Sequence, residues 1–97
     1  MKIDSSAVDA VTGAASGIGR ALALELARRG AALALADVNK AGLHETVAAI
    51  PGVKVSSHLV DVSDPAQVEA FAAAVKAAHG RATLLVNNAG VALGRRF

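Results

Sequence analysis

The chain alternates between two hydrophobic patterns. Short apolar runs occur at AVDAVT (Ala7 to Thr12), AALALA (Ala31 to Ala36), VKVSSHLV (Val53 to Val60) and TLLV (Thr83 to Val86), each fitting a buried or half-buried strand. Between them, apolar residues recur at helical spacing. Ile18, Leu22 and Leu26 stand four apart, with Arg20, Glu25, Arg28 and Arg29 at polar positions and Gly30 where a helix would end. Leu43, Val47 and Ile50 predict a second helix, stopped by Pro51-Gly52. Val68, Phe71 and Val75 predict the buried stripe of a third, with Asp64 as N-cap, Pro65 in the first helical position, Gln67 three residues after the cap, and Gly80 at the close. The predicted order is β-α-β-α-β-α-β with short connections, the pattern of an α/β fold with a parallel sheet, right-handed crossovers and helices on both faces. In such sheets ligands sit beyond the carboxyl ends of the strands, where the strand order reverses.

Composition narrows the function classes. Of 97 residues, 54% are hydrophobic and 19% charged, which excludes a disordered chain and predicts one globular domain over residues 1–97. Twenty-four residues are alanine, so the core is smaller in volume than that percentage implies. The net charge of +2 comes from dispersed lysines and arginines, and there is no Trp or Tyr on which a base could stack, so nucleic acid is not an expected partner. Zero cysteines leave no thiolate site, and His44, His58 and His79 lack ligand spacing, so no metal is expected. No apolar run reaches the length of a membrane span or a signal peptide, and the expected location is the cytoplasm.

The chemistry concentrates in TGAASGIG, Thr12 to Gly19. Glycine costs about 1 kcal/mol relative to alanine inside a helix, so three glycines at a helix entrance indicate a sharp turn or the close approach of a ligand. A strand turning through glycines into a helix offers free N–H groups and the positive end of the helix dipole, a ready phosphate site. The spacing Gly13-x-x-x-Gly17-x-Gly19 departs from the general G-x-G-x-x-G fingerprint, and a tight structural loop is the competing reading. Asp37 follows 18 positions beyond Gly19, at the end of the second strand, near the roughly 20 residues expected for a carboxylate that binds ribose hydroxyls. Its plainer reading is a helix-entry aspartate ahead of Val38-Asn39.

TGAASGIG after the first strand, Asp37 after the second, Asp61-Val62 after the third and NNAG (Asn87 to Gly90) after the fourth resemble, in order and over nearly the whole chain, the amino-terminal half of the short-chain dehydrogenases/reductases. The resemblance implies a Rossmann-type doubly wound parallel sheet and the coenzyme-binding portion of an NAD-dependent oxidoreductase, transferring hydride between nicotinamide and an alcohol or carbonyl substrate. It implies that Gly13, Ser16, Gly17, Ile18 and Gly19 surround the pyrophosphate, with the Ile18 amide among the donors. Asp37 would hold the adenosine ribose, Asp61 and Val62 would border the adenine, and Asn87, Ala89 and Gly90 would line the ribose side of the cleft. Thr12 would tie the first strand to the NNAG turn. A dinucleotide and, in the full-length protein, a small alcohol or carbonyl substrate are the implied partners; a homo-oligomer is allowed.

Three departures stand out. Asp9 interrupts the first strand, where an unpaired buried carboxylate is costly. Thr83 stands where the family usually places an acidic residue. The chain ends at Phe97, before the region in which the family carries its catalytic serine and Tyr-x-x-x-Lys pair, and it contains no tyrosine. No residue is therefore assigned a catalytic role, and the 97-residue chain is expected to be inactive alone. A non-enzymatic module of the same fold, binding a nucleotide or a partner chain, is the alternative.

Overall fold

The computed structural model describes residues 7–80 together with the backbone of 84–87. Four parallel strands, β1 (Val8–Thr12), β2 (Ala32–Asp37), β3 (Val55–Leu59) and β4 (Leu84–Asn87), alternate with three helices, α1 (Gly17–Arg28), α2 (Lys40–Ala48) and α3 (Pro65–His79). The order across the sheet is β3-β2-β1-β4. The chain thus advances outward from β1 through β2 to β3, then crosses back to lay β4 on the other side of β1. That reversal makes the carboxyl ends of β1 and β4, where Thr12 stands in register with Asn87, the switch point at which ligands bind in such sheets.

The alternation within β2 explains how the two layers pack. Leu33 and Leu35 point to the face covered by α1 and α2, where they join Val11, Ala23, Leu26, Leu43 and Ile50 in one core. Ala34 and Ala36 point the other way, into a second core that Phe71 and Val75 of α3 fill together with Val8, Ala10 and Val60. Leucines meet two helices and alanines make room for a phenylalanine, so each face receives complementary volume. Helices on both faces of a parallel sheet make the fold the doubly wound α/β type that the periodicity predicts.

The helix ends also follow the sequence, with adjustments. At α3, the Asp64 carboxylate accepts from the Ala66 amide at 3.0 Å, and Gly80 ends the helix in the left-handed conformation at φ 81°. Gln67 reaches further back than a capping box requires: its side-chain oxygen accepts from the Asp61 amide at 2.8 Å. The stripe expected for α1 fails at its first member. Leu26 is buried and Leu22 partly so, but Ile18, in the first turn of α1, is 71% exposed. Asp9 is fully buried in β1, opposite Leu33 on one side and Leu84 on the other. Among the described residues no helix is long and apolar enough to cross a membrane.

Candidate functional site

The turn after β1 is built from both of its neighbours. Gly13 takes φ 71°, a left-handed conformation that lets the chain leave the strand sharply, and the Ala14 amide then donates to the Ala36 carbonyl at the end of β2 at 3.1 Å. Ser16 is extended and forms no side-chain cap, and the first turn of α1 carries no acidic residue. The positive end of the α1 dipole is thus left for something other than the helix's own side chains.

The three glycines perform different tasks. Gly17 sits at φ +57°, and a Cβ built on it would meet nothing within 4 Å, so this glycine borders open space. A Cβ at Gly19 would lie 1.9 Å from the Gly13 carbonyl oxygen, so this glycine lets the helix pack on the turn. Gly13 provides the bend. Bend, open approach and close packing are the roles that a dinucleotide-binding turn requires of its glycines, here at a different spacing. The residues fit a pyrophosphate, since Ser16, Gly17 and Ile18 are exposed at the same edge.

Asp37, the last residue of β2, reaches back to this turn. Its Oδ2 accepts from the Ala15 amide at 2.9 Å, while Oδ1 accepts from the amides of Val38 at 2.7 Å and Asn39 at 3.1 Å. Capping of α2 falls to Asn39, whose side chain accepts from the Gly42 amide at 2.9 Å, so the helix-entry reading of Asp37 is displaced. Of about four acceptor sites on a carboxylate, three are taken by amides, leaving Oδ2 one for a hydroxyl donor. Next along the edge, the Val60 amide donates to the Asp37 carbonyl at 3.1 Å, which sets Asp61 and Val62 beside it. The Asp61 carboxylate is exposed and accepts from the Ser63 hydroxyl at 2.6 Å and the Ser63 amide at 2.9 Å, which hold its pKa below the usual carboxylate range. Val62 packs half-buried against the α3-side core. The structure therefore gathers Gly13, Ser16, Gly17, Ile18, Gly19, Asp37, Asp61 and Val62 along one edge, with Asn87 at the end of β4 on its far side. Ala89 and Gly90 lie outside the described residues.

The residues that support the turn from behind escape a sequence reading. Thr46, fully buried on α2, donates from its hydroxyl to the Ala14 carbonyl at 2.8 Å. Arg20 donates from Nε to the Thr46 hydroxyl at 2.9 Å, and from Nη2 to the carbonyls of Ala15 and Gly42 and to Glu45 Oε1. Gly42 is buried, and a Cβ there would come within 2.9 Å of Ala15. A glycine inside a helix was the available signal for a close contact. The histidines, far apart in sequence, also meet in the fold: His58 and His79 place both Nε2 atoms 2.8 Å from the Ser56 hydroxyl, and His58 meets Phe71 edge-on at 5.1 Å. That cluster spans β3 and the end of α3.

Comparison with known proteins agrees with this geometry. The chain is 46% identical over 89 residues to the probable oxidoreductase EphD of Mycobacterium tuberculosis, covering 90% of this chain and 15% of that protein. It is 45% identical over 85 residues to levodione reductase of Leifsonia aquatica, covering 84% of this chain and 32% of that protein. The chain therefore spans a third or less of the length of these relatives. A crystal structure of a short-chain dehydrogenase/reductase from Burkholderia phymatum in complex with NAD superposes with a TM-score of 0.84 at 41% identity, covering 88% of this chain and 31% of that one. The family model for short chain dehydrogenases matches residues 7–97, and the chain belongs to that family.

Proposed function

We propose that this chain is a single dinucleotide-binding domain, the coenzyme-binding portion of an NAD-dependent oxidoreductase acting on an alcohol or carbonyl substrate. The observation that carries the reading is the hydrogen bond from the Ala15 amide to Asp37, which joins the phosphate turn and the ribose carboxylate in one structural unit. Gly13, Ser16, Gly17, Ile18 and Gly19 take the pyrophosphate on their backbone, with the amides of the first turn of α1 as donors. Asp37 accepts from an adenosine ribose hydroxyl at its remaining Oδ2 site. Asp61 and Val62 border the adenine, and Asn87, Ala89 and Gly90 line the ribose side of the cleft. The bound nicotinamide supplies hydride acceptance or donation. What these residues contribute is orientation: none of the 97 is assigned as the proton donor that a carbonyl oxygen requires.

NAD(H) is the coenzyme rather than NADP(H), on electrostatic grounds. The 2′-phosphate carries about −1.5 to −2 charges. A unit pair of like charges at 4 Å costs about 4 kcal/mol at an effective dielectric of 20 and about 1 kcal/mol in water, so the half-buried Asp37 discriminates by roughly 10- to 100-fold. Lys40, two residues beyond Val38, tempers the repulsion without reversing it. Titration of the chain with both dinucleotides at one salt concentration tests this. Tighter NAD(H) is the expected result, and equal or tighter NADP(H) removes Asp37 from the ribose.

A further inference from the structure

The peptides on either side of Ala15 are held from opposite directions. A trans peptide is planar, with its C=O and N–H antiparallel, so fixing one end aims the other. In the Ala14–Ala15 peptide, the carbonyl accepts from the buried Thr46 hydroxyl at 2.8 Å and the amide donates to Asp37 at 2.9 Å. In the Ala15–Ser16 peptide, the carbonyl accepts from the Arg20 guanidinium. The Ser16 amide must then point away from Arg20 and α2, toward the exposed side of the turn.

We propose that Arg20 is a positioning residue for the phosphate turn: by holding the Ala15 carbonyl against α2, it aims the Ser16 amide, and with it the turn's donor set, at the bound pyrophosphate. This rests on the coenzyme reading above. Arg20 suits the task because its planar fork is anchored independently. Nε donates to Thr46 at 2.9 Å, and Nη2 donates to the Gly42 carbonyl and to Glu45 Oε1, each at 3.2 Å. Acceptance from Arg20 leaves the Thr46 hydroxyl proton for the Ala14 carbonyl, so a single line of donors fixes two consecutive carbonyls. Gly42 keeps α2 close enough for this, with no Cβ to push Ala15 away. A lysine has neither the planar fork nor enough donors in fixed geometry to replace it.

The test compares the wild-type chain with Arg20→Leu, Arg20→Lys and Gly42→Ala, each checked for folding by urea denaturation. Amide spectra without ligand should show changed shifts and faster exchange at residues 15–19, and unchanged amides in α3, in all three variants. ADP affinity should fall about 10- to 100-fold in both Arg20 variants, as expected for losing charge-assisted bonds that fix the donors. Adenosine, titrated through the Val38 and Asn39 amides, should lose clearly less affinity than ADP, because Asp37 keeps the Val38 and Asn39 amides on Oδ1 and meets the turn only through Oδ2. Full ADP affinity in Arg20→Lys would reduce Arg20 to a charge and overturn the proposal. Parallel losses of ADP and adenosine, or undisturbed amides at residues 15–19, would overturn it too. If wild-type protein binds neither ligand, the coenzyme reading fails, while the amide spectra still decide whether Arg20 orients the turn.

Discussion

Alanine at Gly17 and alanine at Gly19 add the same methyl group two residues apart, and the structure assigns them opposite consequences. At Gly17 the new Cβ meets nothing within 4 Å, so the cost is the left-handed backbone at φ +57°. That conformation costs an L residue about 1–2 kcal/mol, partly offset by about 0.4–1 kcal/mol from the reduced freedom of the unfolded chain. The net loss of stability is about 1 kcal/mol. At Gly19 the Cβ lies 1.9 Å from the Gly13 carbonyl oxygen and 2.6 Å from its carbon, backbone atoms that cannot rotate aside. The turn has to move bodily, and overpacking of this kind costs about 1–3 kcal/mol or more. Against a total stability on the order of 5–15 kcal/mol and a urea slope of about 1 kcal/mol per molar, Gly17→Ala should lower the urea midpoint by about 1 M and Gly19→Ala by about 2 M or more. Binding reverses the order of interest, because Gly17→Ala fills the open space through which the proposed pyrophosphate would reach the amides. The folded Gly17→Ala chain should lose at least about tenfold in NAD affinity, and Gly17→Val should abolish binding with helix content retained. Circular dichroism in urea, followed by calorimetric titration of the folded variants, reads both effects. NAD binding by Gly17→Ala at wild-type affinity would refute the open-approach argument, and equal midpoints for the two variants would refute the packing argument.

Asp37→Asn should bring the dissociation constants of NAD(H) and NADP(H) closer together, since it removes the charge proposed to repel the 2′-phosphate; direct titration of both dinucleotides checks this. His58 and His79 both titrate below the ordinary 6.5, chiefly because burial disfavours their charged forms, with His79 acting on His58 and Lys54 on His79. The unfolded chain therefore binds more protons, so stability should be full above pH 6.5 and decline as pH falls below it, and a His58→Asn/His79→Asn variant should flatten that slope in urea titrations from pH 7.5 to 5. Asp64→Ala, which removes the α3 cap, should cost about 1 kcal/mol in the same assay. Hydride transfer by the purified 97-residue chain should be undetectable with alcohols, ketones or hydroxysteroids when the NAD(H) absorbance is followed, and clear turnover would require a proton donor among residues given no such role.

Period and punctuation were enough to order the seven elements, because a parallel sheet buried on both faces demands continuous apolar strands and its helices demand one apolar stripe each. Ile18 has the spacing of a core residue but stands at 71% exposure, since periodicity does not say which turn of a helix the rest of the fold covers. His58 and His79, 21 positions apart, meet on Ser56 because α3 returns along β3, a contact that no local pattern encodes.

The candidate site divides in the same way. Gly13, Gly17, Gly19 and Asp37 were legible because each stands at an element boundary, where one residue type solves a local problem of bend, approach or charge. Arg20, Gly42 and Thr46 were not, because each occupies an ordinary position in a helix, and their work appears only once α2 lies against the turn. Arg20 in particular follows the glycines directly and reads as a solvated polar position of α1, whereas its guanidinium lies against α2 and is only partly exposed. The same contact gives Asp37 a second task. Its Oδ2 holds the Ala15 amide while Arg20 holds the Ala15 carbonyl, so a change at either side chain alters the turn from which the other is also supported. Substitutions at Asp37 and Arg20 should therefore combine non-additively in ADP affinity, as expected for residues that share a partner.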